Sequence, residues 1–169
     1  MVEPFKEILV YLDGSEDSVS AAMAAIMLAN RLEASLTAIY VVNTRALRDL
    51  VSARIFLEFE EQEYQRDIEG DAIRYLNHVK ELGQQKGLDV KTIKTSGAVS
   101  AEVTKYLQEN NIDLLVIGGL SEIRSRRDEL LSETDRMLRS APCPVLVVRD
   151  NDEIWDKFEI APSATRSEK

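Results

Sequence analysis

Two uninterrupted apolar runs, Ile8-Leu9-Val10-Tyr11-Leu12 and Leu114-Leu115-Val116-Ile117-Gly118, constrain this chain more than any other feature. Each is too short for a helix and shows no polar alternation. Both therefore read as strands covered on both faces, the pattern of a parallel sheet sandwiched between helices. Each run ends on residues that turn the backbone: Asp13-Gly14-Ser15 after the first, Gly118-Gly119 after the second. A glycine there lets the chain turn sharply and come close to a ligand. Ser15 is placed to cap a following helix, and Ser132-Glu133-Thr134-Asp135 has the Ser-x-x-Asp form of another helix start. A buried strand, a glycine turn and a helix N-terminus are the parts from which α/β folds build anion sites at the carboxyl edge of a sheet.

The intervening sequence supplies the helices. Val19, Ala22, Met23, Ile26 and Ala29 recur at helical spacing within residues 15–33, and the small residues allow close approach to a sheet. Residues 36–42 form a second strand. Residues 43–63 are less regular: Leu47, Leu50, Val51, Ile55, Phe56 and Leu57 precede an acidic run of Glu58, Glu60, Glu61 and Glu63. They fit either a short helix over the sheet edge followed by a solvated face, or a lid over a pocket. Ile68, Ala72, Tyr75, Leu76, Val79 and Leu82 then sustain a helix to Lys86, with Gly87 as its terminator. A more polar strand over 90–95, suited to an edge, a short helix to Gln108, the strand over 112–118, a helix over 132–139 and a strand over 145–148 complete a βαβαβαβαβ order. The domain is expected over 1–150. Beyond it, a tail over 151–169 carries an apolar cluster of Ile154, Trp155, Phe158 and Ile160, then a polar end too weak to fold. Ile154, Trp155 and Phe158 are expected to dock on the domain or across a dimer and bury the indole.

Charge and composition exclude several classes. Thirty acids against 21 bases leave a formal charge of -9, which disfavours nucleic acid and anionic membrane. The N-terminal stretch has no apolar signal core, and the apolar run 21–29 is far too short to span a bilayer. A lone cysteine forms no internal disulfide. The expectation is a cytoplasmic protein with no membrane insertion. His78, the only histidine, lies mid-helix and reads as structural. Cys143, between two prolines, reads as a small buried residue. No Ser-His-Asp, Cys-His or paired-carboxylate constellation stands out, so no catalytic residue and no metal site are assigned.

Gly118-x2-Ser121-x9-Leu131-Ser132, followed by Ser140-Ala141-Pro142-Cys143-Pro144-Val145-Leu146-Val147-Val148-Arg149, resembles the end of a universal stress protein domain. Ile8 to Ser18, Gly97-Ala98-Val99 and Asp113 match further motifs of that family in order. The resemblance covers residues 4–149. It implies a flavodoxin-like, doubly wound five-stranded parallel sheet of strand order 3-2-1-4-5, and a homodimer joined along Val145, Leu146, Val147 and Val148. In ATP-binding members the aspartate matching Asp13 contacts the nucleoside, and the residue matching Val41 meets adenine through its backbone. Taken from the residues alone, Asp13 is equally a turn residue bonded to its own backbone. Such members carry Gly-x2-Gly-x9-Gly-(Ser/Thr) where this chain has Gly118, Ser121, Leu131 and Ser132. A side chain at either lost glycine blocks the approach of phosphate oxygens to backbone N–H groups. Arg124, Arg126 and Arg127 either supply replacement charge to a phosphate or are simply solvated. Glu133 adds a repelling carboxylate, which leaves Ser132 most simply as a helix cap. The expected function is a non-enzymatic regulatory dimer with weakened or lost nucleotide binding, acting in stress response through an unidentified protein partner. No cofactor is then expected. The alternative is an ATP-binding member with at most slow hydrolysis.

Overall fold

The computed structural model describes residues 5–54, 57–119, 132–149 and 152–164. Five parallel strands, β1 (Glu7–Leu12), β2 (Ser35–Val42), β3 (Lys91–Ser96), β4 (Leu114–Gly118) and β5 (Val145–Val148), form one sheet in the order β3-β2-β1-β4-β5. β1 lies at its centre and is buried along all but its first residue, as its uninterrupted apolar run requires. Asp113 fixes the start of β4 against β1: its carboxylate accepts hydrogen bonds from the backbone N–H of Lys6 at 2.8 Å and of Glu7 at 3.2 Å.

The helices are α1 (Glu16–Leu32), α2 (Thr44–Ser52), α3 (Glu58–Gln85), α4 (Val99–Glu109), α5 (Glu133–Ser140) and α6 (Asp152–Ile160). One face of the sheet packs on α1, α3 and α6 through Ile8, Val10, Leu12, Leu36 and Val148. The other packs on α4 and α5 through Leu9, Tyr11, Ile39, Leu115 and Ile117. Alternate residues of β1 thus enter opposite cores, the period of two that a doubly covered strand demands. Truncating Ile8 or Leu115, both 0% exposed, to alanine would cost about 2–5 kcal/mol. Ala21, Ala22, Ala25 and Ala29 are likewise fully buried, which brings the α1 backbone onto the sheet.

Several expectations are refined. The 43–63 stretch contains α2, whose Leu47 is buried, and the start of α3, which begins at Glu58 rather than Tyr64. The acidic run therefore lies in the first turns of a helix, where negative charge is favoured by the helix dipole. Glu60 completes that start by accepting a hydrogen bond from the Leu57 N–H at 2.9 Å. β4 begins at Leu114, with the apolar run and two residues later than the expected strand over 112–118; Asp113 before it holds the Lys6 and Glu7 N–H groups with its carboxylate.

Along the tail, α6 packs on α1 with Phe158 only 4% exposed and Ile154 turned to the same core. Trp155 is 44% exposed in the single chain, so burial of the indole within it is corrected. Positions 154 and 158 lie about 40° apart on the helix wheel, whereas position 155 lies about 100° from 154 and about 60° from 158, at the edge of the face that those two present. Beyond α6, Ala164 N–H donates to Lys86 O at 2.9 Å and the Ser163 hydroxyl to Gln85 O at 3.0 Å. Among the described residues no helix is long and apolar enough to cross a membrane.

Candidate functional site

The strand order reverses between β1 and β4, and the carboxyl ends of these two strands frame the place where an open α/β sheet accepts ligands. β1 delivers Asp13 to this edge. Its carboxylate accepts hydrogen bonds from the Ser15 backbone N–H, at 2.9 Å, and from the Ser15 hydroxyl. Asp13 is thus a turn residue holding its own loop, and it stays solvent-exposed. Ser15 in turn caps α1, accepting from Ser18 N–H at 3.1 Å. Between them Gly14 has φ +82°, a left-handed backbone, and a β-carbon there would touch the Tyr75 ring at 3.0 Å.

Tyr40 donates a long hydrogen bond, 3.4 Å, to the Asp13 carbonyl. Burial, reinforced by the Asp13 and Asp71 carboxylates, pushes its phenol up to about 12. Tyr11 lies on the opposite face of the sheet, and its phenol is raised well above the ordinary value by burial, then by Asp13 and Glu133. These two carboxylates therefore act on one neighbourhood.

Val41 is 4% exposed near the end of β2, opposite Thr95 of β3, with its side chain in the core beside α4 and α5. Only its backbone is left to meet a ligand. Gly118 ends β4 against the first turn of α1, where a β-carbon would stand 2.8 Å from the Asp17 carbonyl carbon. Gly119 is looser, its nearest neighbours being the backbone of Arg149 and Val148 at 3.6 Å. Ser132 caps α5 by accepting from Asp135 N–H at 3.3 Å. Ser121, Arg124, Arg126, Arg127 and Leu131 lie outside the described residues.

Sequence reasoning missed the role of Glu133. The N-cap position of α4 is Ala98, which has no capping side chain. One Glu133 carboxylate oxygen reaches across from α5 and accepts the Ser100 N–H at 3.2 Å, while the other pairs with Arg136 at 3.3 Å. At the far end of α5, the Ser140 and Thr104 hydroxyls lie 3.3 Å apart. The signal available in the sequence was an alanine where a helix needs a cap.

Away from this edge, His78 is exposed and lines a shallow depression with Arg74 and Tyr75. Cys143 is half-buried rather than buried, and desolvation raises its thiol further from the reactive thiolate. Among the described residues no group of three or more His, Cys, Asp or Glu could hold a metal ion.

A parallel five-stranded sheet of order 3-2-1-4-5, covered by helices and opening at the β1/β4 switch, defines a flavodoxin-like α/β protein with a candidate ligand edge. Within that class the chain belongs to the universal stress protein family, whose model matches residues 4–149. It is 29% identical over 152 residues to the universal stress protein YxiE of Bacillus subtilis, covering 86% of this chain and 99% of the relative. Among solved structures it is similar to UspA of Lactobacillus plantarum, with TM-score 0.61 and 28% identity over 86% of this chain and 99% of that one. A universal stress protein family member of Arabidopsis thaliana, solved with AMP bound, shares the fold at TM-score 0.59 and 15% identity, covering 86% of this chain and 92% of its own.

Proposed function

We propose that this universal stress protein is a non-enzymatic regulatory dimer that binds adenine nucleotide only weakly and acts through protein contacts. One observation carries the weak binding: the helix N-termini at the carboxyl edge are occupied by the protein's own oxygens. Ser15 caps α1, Ser132 caps α5, and Glu133 caps α4. Each cap satisfies one N–H of a first turn, so an incoming phosphate finds fewer unsatisfied donors at these helix starts. The departures at Ser121 and Leu131 act in the same direction by adding side chains where the ATP-binding pattern has glycine.

The second reading, nucleotide binding of useful strength, draws on the AMP-bound neighbour. In that reading Asp13 and the Val41 backbone serve the nucleoside, and Arg124, Arg126 and Arg127 serve the phosphates. The experiment is to release and identify any small molecule carried by the purified protein by mass spectrometry, then titrate with adenosine, AMP and ATP by calorimetry. Weak binding of AMP and weaker binding of ATP is the expected outcome. Tight ATP binding that vanishes when the three arginines are replaced would establish the second reading.

The dimer rests on β5. It is an edge strand whose apolar residues leave Leu146 36% exposed and Val145 and Val147 only half-buried. Such an edge invites pairing with another strand, and its own copy is the self-complementary choice.

A further inference from the structure

We propose that the amino edge of the sheet carries a second binding site, one that takes a small zwitterion of the free amino-acid type. It lies at the opposite end of the strands from Asp13 and Gly118. The inference therefore goes beyond the nucleotide reading and does not depend on it.

A cleft of about 510 Å³ opens there between the starts of β1, β2 and β3 and the end of α4, within the size range of small-molecule sites. Strand register puts four of its residues on one face of the sheet. Glu7 pairs with Ser35, and Thr37 with Lys91. By the strand period of two, all four share the face that Leu9, Ile39 and Ile93 turn towards α4. Tyr106 of α4, half-buried against that same core, lines the cleft from the other side.

Thr37 marks this cleft as a site. It is only 6% exposed. Of the other buried hydroxyl residues described, Ser18 donates to the Ser15 carbonyl at 2.8 Å, and Ser20 also has a partner. No hydrogen bond joins the Thr37 hydroxyl to another described residue. Nor is its oxygen sealed in: among the described residues, the sealed side-chain atom without a partner is Asn30 Oδ1. The Thr37 hydroxyl therefore opens on the cleft it lines, and its partner must come from outside the fold.

The charges at the rim decide the ligand class. Lys91 brings an ammonium, and Glu7 and Asp89 bring carboxylates, all three exposed. Among the described residues none of these three is ion-paired. A simple anion would meet two carboxylates for one ammonium, and a simple amine would sit beside Lys91 with like charge. A molecule carrying both charges a few atoms apart can set its carboxylate against Lys91 and its ammonium against Glu7 or Asp89. Thr37 then supplies a buried polar contact that water-exposed charges cannot.

The test is two-dimensional amide NMR of the full chain, titrated with each of the standard free amino acids to millimolar concentration. For at least one of them, saturable shifts are expected at residues 35–37, 91 and 106–112, with the amides of Asp13 and Gly118 unmoved. For that amino acid, Lys91→Met and Thr37→Val should each weaken binding about tenfold or more. Valine keeps the shape of threonine and removes only the hydroxyl, and position 91 is exposed, so the rest of the amide spectrum should stay as in the wild type. The ligand's own amide derivative lacks the carboxylate and its N-acetyl derivative lacks the ammonium. Each should bind the wild type about tenfold or more weakly. The inference is overturned if no amino acid gives saturable shifts at the amino edge. It falls equally if neither substitution weakens binding, or if the amide derivative binds as well as its parent, which would make this a site for amines.

Discussion

Gly118 and Asp17 meet through their backbones: a β-carbon built on Gly118 would lie 2.8 Å from the Asp17 carbonyl carbon and 2.9 Å from its oxygen. The end of β4 and the first turn of α1 are therefore in direct contact at the switch point. Neither partner can yield by rotating a side chain. Gly118→Ala is expected to cost about 1–3 kcal/mol through overpacking. Gly119→Ala, with 3.6 Å of clearance, should cost much less. Urea unfolding of the two variants checks this, and equal midpoints would refute the packing argument.

Lys86 ties the C-terminal segment to the body. Its ammonium donates to Ala161 O at 2.7 Å and Glu159 O at 3.3 Å, and lies 5.0 Å from the centre of the Phe158 ring. A cation at a helix C-terminus meets the carbonyls left without partners there. Lys86→Met keeps the apolar stem and removes the charge. Amide exchange across 152–164 should accelerate by about tenfold or more, with little change elsewhere. Unaltered protection of that segment would show that Phe158 and Ile154 suffice to hold it.

Alkaline pH should unfold the protein partly through Tyr40. Its folded pKa is about 12, above the ordinary value of 10.0, so between these limits the native state holds a proton that the unfolded chain has lost. The stabilisation is complete below the unfolded value and falls away as pH rises through the folded one. Tyr11, shifted in the same direction, adds to the slope. Tyr40→Phe should show a shallower loss of stability above pH 10. Parallel stability curves for wild type and variant would rule Tyr40 out.

If β5 is the dimer edge, Leu146→Lys should yield a monomer, since edge lysines are a common device against strand pairing. Leu146 is 36% exposed in the single chain, so the substitution should barely disturb the fold. Sedimentation velocity at micromolar concentration decides it. A wild type that is already monomeric would remove the dimer from the proposal.

Ser121→Gly combined with Leu131→Gly restores the glycine spacing of the ATP-binding pattern around Gly118 and Ser132. Two regained charge-assisted hydrogen bonds at about 1.5–3 kcal/mol each set an upper bound of about 10²- to 10⁴-fold on the gain in ATP affinity. No gain would mean that the loop needs more than its glycines.

The strands, their parallel arrangement and most helix boundaries were legible in the amino-acid sequence, because they follow from local patterns. Continuous apolar runs mark β1 and β4, a helical stripe marks α1, and Ser15 and Ser132 declare their caps within three residues of the N–H groups they satisfy. Gly118, Asp13 and Val41 could also be placed at the carboxyl edge, since strand ends fall there in any parallel sheet. What each residue does at that edge was decided by tertiary structure. Gly118 must be bare because the backbone of Asp17 arrives beside it, and Glu133 is a cap because α5 lies against the uncapped start of α4. Trp155 is left outside while Phe158 is inside because α1 covers only one face of α6. Such contacts join residues far apart in the chain. Hydrophobic period and capping signals describe only a residue's nearest neighbours, so they carry no information about which distant backbone or charge will come to rest against it.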